Sequence, residues 1–147
     1  MPDEYSAIRQ LCERYVDAIN RRDAEAWIET WAPDGVWEYG GDNPPRGRAQ
    51  LAQFWERAMS DIQAVVMLVN SGVVDNVNGD TATARWYHTE DVQIGEDTRM
   101  AGVTVYEDDL VRVDGEWRFA KRTHELLYSG DDLHGNFYPY MAWEHHH

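Results

Sequence analysis

Little in this sequence could cross-link it or anchor it in a membrane. A single cysteine, Cys12, excludes an internal disulfide framework and fits a reducing cytoplasm, the compartment expected for the chain. No stretch approaches the roughly 18 consecutive apolar residues of a membrane-spanning helix, and no basic-then-apolar leader opens the chain. Basic residues are scarce. Thirteen Lys and Arg stand against 27 Asp and Glu, for a formal net charge of −14, so nucleic acid and anionic lipid are poor partners. The acidity is dispersed, with no block that would form a tail. There is no GxGxxG or phosphate-binding loop, and His88 and His124 lack a local ligand spacing such as HExxH. Neither a nucleotide cofactor nor a metal is expected.

Aromatic residues are plentiful, with seven Trp and eight Tyr in 147 residues. These are large side chains to bury, and Tyr carries a polar tip that can reach into a pocket. One domain is expected over residues 1–143. The closing Glu144-His145-His146-His147 resembles the start of a polyhistidine tag and is set aside from the chemistry.

Hydrophobic periodicity first reads as helix. Ile8, Leu11, Cys12, Tyr15 and Ile19 recur at spacings of three and four. Asp23 can cap a second short helix carrying Trp27, Ile28 and Trp31, and Leu51, Phe54, Trp55 and Ala58 mark one face of a third. Between them Val36 to Tyr39 reads as a short strand. The period then changes to two. Ala64–Val74, Thr81–Val92, Met100–Val113 and Trp117–Tyr128 read as strands, the last two joined by a tight Asp114-Gly115 hairpin. Residues 129–143, rich in Gly and aromatics, read as an irregular extension. Helices followed by antiparallel strands give an α+β class. The expected shape is a cone-like roll: three N-terminal helices on a strongly curved, mostly antiparallel sheet enclosing one central pocket.

The order of several short pieces carries a resemblance. They run from Tyr15-Val16-Asp17-Ala18-Ile19-Asn20 through Trp31-Ala32-Pro33-Asp34-Gly35-Val36-Trp37 and Arg46-Gly47-Arg48. Gly79-Asp80-Thr81-Ala82-Thr83-Ala84 and Asp114-Gly115-Glu116-Trp117-Arg118-Phe119 follow. Together they resemble the SnoaL-like group of the nuclear transport factor 2-like superfamily, whose members include scytalone dehydratases, ketosteroid isomerases and hexachlorocyclohexane dehydrochlorinases. The resemblance implies the cone-shaped fold, homo-oligomers (a trimer favoured, a dimer possible) and a cofactor-free proton-transfer site. It implies an oxyanion donor at Tyr15, as in the isomerases, a pocket tyrosine at Tyr39, as in scytalone dehydratase, and a pocket arginine at Arg122, as in the dehydrochlorinases. The Asp–His dyad of the two lyases falls on Asn20 and Asn70, so a base has to come from elsewhere.

The residues themselves offer His88, on the apolar face of its strand with Ala84 and Trp86, and His124, two residues beyond Arg122 and on the same face. Either is a candidate base. For His88 the alternative is a strand-end histidine bonded to a carboxylate such as Glu90, and for Arg122 a structural ion pair. Tyr15, Tyr39 and Tyr106 are candidate oxyanion donors, Tyr39 foremost. Asn20, Asn70, Trp31 and Trp86 are candidate substrate contacts, with turn and core roles as the alternatives. Cys12 reads as core and His134 as an exposed loop residue. The expected activity is a dehydratase-like lyase acting by acid–base proton transfer on a hydrophobic, ring-containing small molecule. An isomerase or polyketide cyclase would use the same groups. A non-catalytic ligand-binding or oligomer-forming subunit is the rival from another class.

Overall fold

The computed structural model describes residues 3–130 together with Phe137 and Tyr138. The rest of the expected extension, Tyr140 and His134 included, and the C-terminal histidines lie outside the described residues.

Helix α1 (Glu4–Arg21) starts where the Asp3 side chain accepts a hydrogen bond from the Ser6 N–H at 2.7 Å. It ends at Arg22, which takes a left-handed conformation with φ 58°. Its periodic apolar face is buried from Ile8 to Ile19. Helix α2 (Ala24–Glu29) is capped by Asp23, as its sequence predicts, but it stops before Trp31. There the expectation fails: Trp31 opens strand β1 (Trp31–Glu38) and pairs with Phe119 of the last strand. Helix α3 (Arg48–Asp61) follows, and after it four long strands: β2 (Ile62–Asn78), β3 (Thr81–Ile94), β4 (Thr98–Val113) and β5 (Glu116–Gly130).

The five strands form one sheet in the order β1-β5-β4-β3-β2, antiparallel except for the parallel β1–β5 pair. The Asp114-Gly115 turn has positive φ at both positions, 53° and 82°, as a two-residue hairpin with the twist of its strands requires. Register shifts interrupt β2 after Val69 and Val74, and the β4–β5 ladder between Asp109 and Leu110 and between Val103 and Thr104. Each extra residue bends its strand and increases the local twist, which curves the sheet around the helices without closing it. At Gly72 the bend is also a close approach. A Cβ there would lie 2.2 Å from the Trp86 ring and 2.4 Å from the Arg85 carbonyl, so only glycine lets Trp86 cross beneath β2.

The concave face carries the core. Trp31, Trp86, Phe119 and Ile8 are fully buried, with Tyr15, Trp27 and Leu110 nearly so. Asn20 fastens α1 to the sheet: its Nδ2 donates to the Met67 carbonyl and its Oδ1 accepts from the Met67 N–H, both at 2.8 Å. The convex face leaves Val66, Leu68, Val73 and Tyr87 exposed. Among the described residues no helix is long and apolar enough to cross a membrane.

Candidate active site

At the open end of the roll the helices and sheet diverge and leave a cavity of about 410 Å³. Every helix and strand contributes to its wall. Tyr15 and Ile19 come from α1, Trp27 from α2, Trp37 from β1, and Phe54 and Trp55 from α3. Tyr39 enters just after β1, Glu90 and Val92 come from β3, Tyr106 from β4 and His124 from β5. The wall is largely aromatic, so the few polar atoms on it stand out.

Strand alternation decides which side chains reach this space. On β3 the inward parity runs Ala82, Ala84, Trp86, His88, Glu90, Val92, from the packed end towards the open one. Tyr106 stands opposite Trp86 in register, while His88 faces Thr104 and Glu90 faces Gly102. The Tyr106 side chain lies along the sheet. Its ring covers His88, with centroids 4.3 Å apart, and its hydroxyl donates to Glu90 Oε1 at 2.8 Å. Thr104 donates to the same oxygen at 3.2 Å. Glu90 is thus anchored through one oxygen, and Oε2 has no hydrogen-bond partner among the described residues.

His124 is half-buried beside Trp37 and Tyr106, at centroid distances of 5.2 and 5.7 Å. Its Nδ1 is buried without a hydrogen-bond partner. Burial pulls the imidazole below its ordinary pKa, the Glu90 carboxylate opposes this, and the Arg122 charge adds to the depression. The net effect favours a neutral ring, able to accept a proton. Tyr15 is pushed up to about 12 by burial, and Tyr106 well above the ordinary phenol value by burial and by Glu90. Both phenols stay protonated, and the Tyr106 hydroxyl donates its proton to Glu90. The Tyr39 ring packs against Phe54, with centroids 4.9 Å apart and planes tilted by 47°.

Of the residues expected to form the site, His124, Tyr39, Tyr15 and Tyr106 therefore meet in one cavity. The others do not line it. His88 has the expected inward parity but is fully buried behind Tyr106. Neither of its nitrogens has a partner, and burial and Arg122 push its pKa down to about 3. Arg122 lies deeper, with no exposed surface. It donates from Nε and Nη2 to the two Asp108 oxygens at 2.7 and 3.2 Å, beneath the rings of Tyr15, Tyr106 and Phe119 at 4.1–4.4 Å. Burial would lower this guanidinium, but Asp108 outweighs it and holds Arg122 above its ordinary value. Trp31 and Trp86 are core residues. Asn20 is occupied by the Met67 backbone, and Asn70 is exposed and donates to Thr89 Oγ1 at 2.6 Å. Cys12 is a buried free thiol raised well above its ordinary value by burial, as a core reading requires.

From the sequence alone Glu90 reads only as a neighbouring carboxylate for His88, yet it lines the cavity. Its place two positions beyond His88 is the signal for this, because the same parity points both inward. Among the described residues no group of three or more His, Cys, Asp and Glu side chains is placed to hold a metal ion.

Known proteins share this architecture. A hexachlorocyclohexane dehydrochlorinase from Novosphingobium barchaimii superposes with a TM-score of 0.82 over 92% of this chain and 94% of its own, at 17% identity. A protein assigned as a scytalone dehydratase from Novosphingobium aromaticivorans gives 0.80 over 88% of each chain, at 19% identity. At these identities the likeness shows the fold alone. An NTF2-like protein with a cystatin-like fold, also from Novosphingobium aromaticivorans, reaches 30% identity, covering 84% of this chain and 82% of its own with a TM-score of 0.70. No curated protein matches the sequence. The family model of the SnoaL-like domain matches residues 3–123, from the cap of α1 into the last strand, and by that match the chain belongs to the SnoaL-like family.

Proposed function

We propose that the protein is a cofactor-independent, dehydratase-like lyase, with His124 as its proton acceptor and a hydrophobic, ring-containing small molecule as its substrate. The observation that carries this reading is the pairing of an imidazole biased towards its neutral form with a fixed carboxylate in one aromatic cavity. The dehydrochlorinase and dehydratase names among its structural relatives agree with a lyase. In the elimination, His124 takes a proton from the carbon next to the one bearing the leaving oxygen. The C–H electrons become the new C=C bond, the C–O bond breaks with its pair going to oxygen, and the imidazolium returns its proton to complete a water molecule. Glu90 stabilises the transient imidazolium, and the Tyr39 hydroxyl donates to the departing oxygen.

The test is His124→Gln against a panel of cyclic β-hydroxy and β-chloro ketones, followed by the absorbance of the conjugated product. Turnover should fall by roughly 10²–10⁴-fold with ligand binding retained. Unchanged turnover removes His124 from the chemistry. A second reading, a ligand-binding subunit, draws on Asn20 and Asn70, where the family resemblance implies the dyad of related lyases; Asn20 instead binds the Met67 backbone and Asn70 binds Thr89. Tight binding without turnover across the whole panel would favour it.

A further inference from the structure

Among the described residues lining the cavity, Glu90 is the only acidic or basic side chain apart from His124, and no Lys or Arg joins it. The nearby guanidinium of Arg122 is fully buried beneath the Tyr15 and Tyr106 rings and is paired with Asp108. Glu90 is also held ready. Both protein hydrogen bonds fall on Oε1, from Tyr106 and Thr104, which leaves the acceptor capacity of Oε2 to whatever enters. Around it stand Trp37 and Tyr106, stacked at 5.5 Å and 10°, with Tyr15, Trp27 and Trp55 beyond. Aromatic faces closing around one unshared carboxylate oxygen attract positive charge through the ring quadrupoles and through direct pairing. They repel an anion, which finds no cation to meet it. The net charge of −14 acts in the same sense at longer range.

We infer that the substrate of this site carries a protonated amine, which Glu90 Oε2 binds while the aromatic walls enclose its ring. The inference rests on the cavity being the reaction site and adds the charge of the substrate to that reading. An ammonium on Glu90 would also fix the ring against Trp37 and Tyr106 and so present a neighbouring C–H to His124.

Three one-ring probes decide the matter on the unaltered protein at neutral pH: phenethylamine, phenethyl alcohol and phenylacetate, titrated by intrinsic tryptophan fluorescence. The amine should bind roughly ten- to a hundredfold more tightly than the alcohol, and the acid more weakly than either. In Glu90→Gln the amine should lose that advantage, whereas in His124→Gln it should keep it. Equal or tighter binding of the alcohol or the acid overturns the inference, as does failure of all three to bind, or an amine preference that survives Glu90→Gln. If the preference is missing while turnover of neutral ketones still depends on His124, the cationic substrate is refuted and the lyase stands.

Discussion

Replacing His88 with Phe should make the protein less sensitive to acid. His88 has no exposed surface, no partner for either nitrogen, and a pKa pushed from 6.5 to about 3 by burial and by the Arg122 charge. The folded protein therefore keeps this ring neutral through mild acid, while the unfolded chain protonates it near 6.5. The unfolded state then binds more protons, so stability falls as pH drops below 6.5 and continues to fall until the folded value is reached. Between about pH 8 and pH 5 the loss from this one group comes to roughly 2 kcal/mol, and it hardly changes whether the folded pKa is about 3 or about 4. In a chain of this size that is about 4–8 °C in Tm. Phenylalanine fills nearly the same space beside Tyr106 and does not titrate. The assay is urea unfolding of both proteins at several pH values, compared as a difference so that carboxylates and the likewise depressed His124 cancel. A repacking cost of about 1 kcal/mol would shift the Phe curve at every pH alike and leave the difference in slope intact. Parallel curves between about pH 7 and pH 5 would refute the burial argument.

Two further substitutions probe the scaffold behind the cavity. Asp108→Asn strands the fully buried Arg122 guanidinium among three rings and should cost about 3–5 kcal/mol, whereas the double variant Asp108→Asn with Arg122→Met should recover most of it. A loss below about 1 kcal/mol in the single variant, read by urea unfolding, would show the pair to be dispensable. Asn20→Asp should destabilise by about 1–3 kcal/mol, because a carboxylate cannot donate to the Met67 carbonyl. An unchanged midpoint would show that the Asn20 amide does not hold α1 to β2.

The sequence exposed those features that are fixed locally. Asp114-Gly115 announces its hairpin because few other pairs accept two positive φ values, and the inward parity of His88, Arg122 and His124 follows from counting by twos along unbroken stretches. Trp31 misled because it lies four residues after Trp27 and is buried like it, which is what a continuing helix would give. What decides its state is pairing with Phe119 at the far end of the chain. Parity also assigns a face and not a depth. His88 and His124 share a face, yet Tyr106 covers one and leaves the other at the cavity. Arg122 has a place on that face, but its charge is absorbed by Asp108, which sits opposite only through the β4–β5 register. Glu90 stayed hidden for a related reason. A carboxylate in a polar stretch of strand reads as solvated until the neighbouring strand delivers the Tyr106 hydroxyl to it.

The parallel seam between β1 and β5 has a consequence for the order in which the molecule is made. Trp37 and Arg122 are partners across that seam, one synthesised long before the other, and His124 follows only two residues later. Such distant pairing comes with a loop-closure cost and slows folding relative to a helical bundle. Until β5 has docked, a chain emerging from the ribosome holds the aromatic floor from α1, α2 and β1 but lacks the imidazole. A ligand of the proposed site could bind fully only to the completed roll, so its binding free energy would add to the stability of the finished fold rather than to any partly folded form. β5, synthesised after every other described element of the cavity wall, is therefore the strand that completes the proposed site.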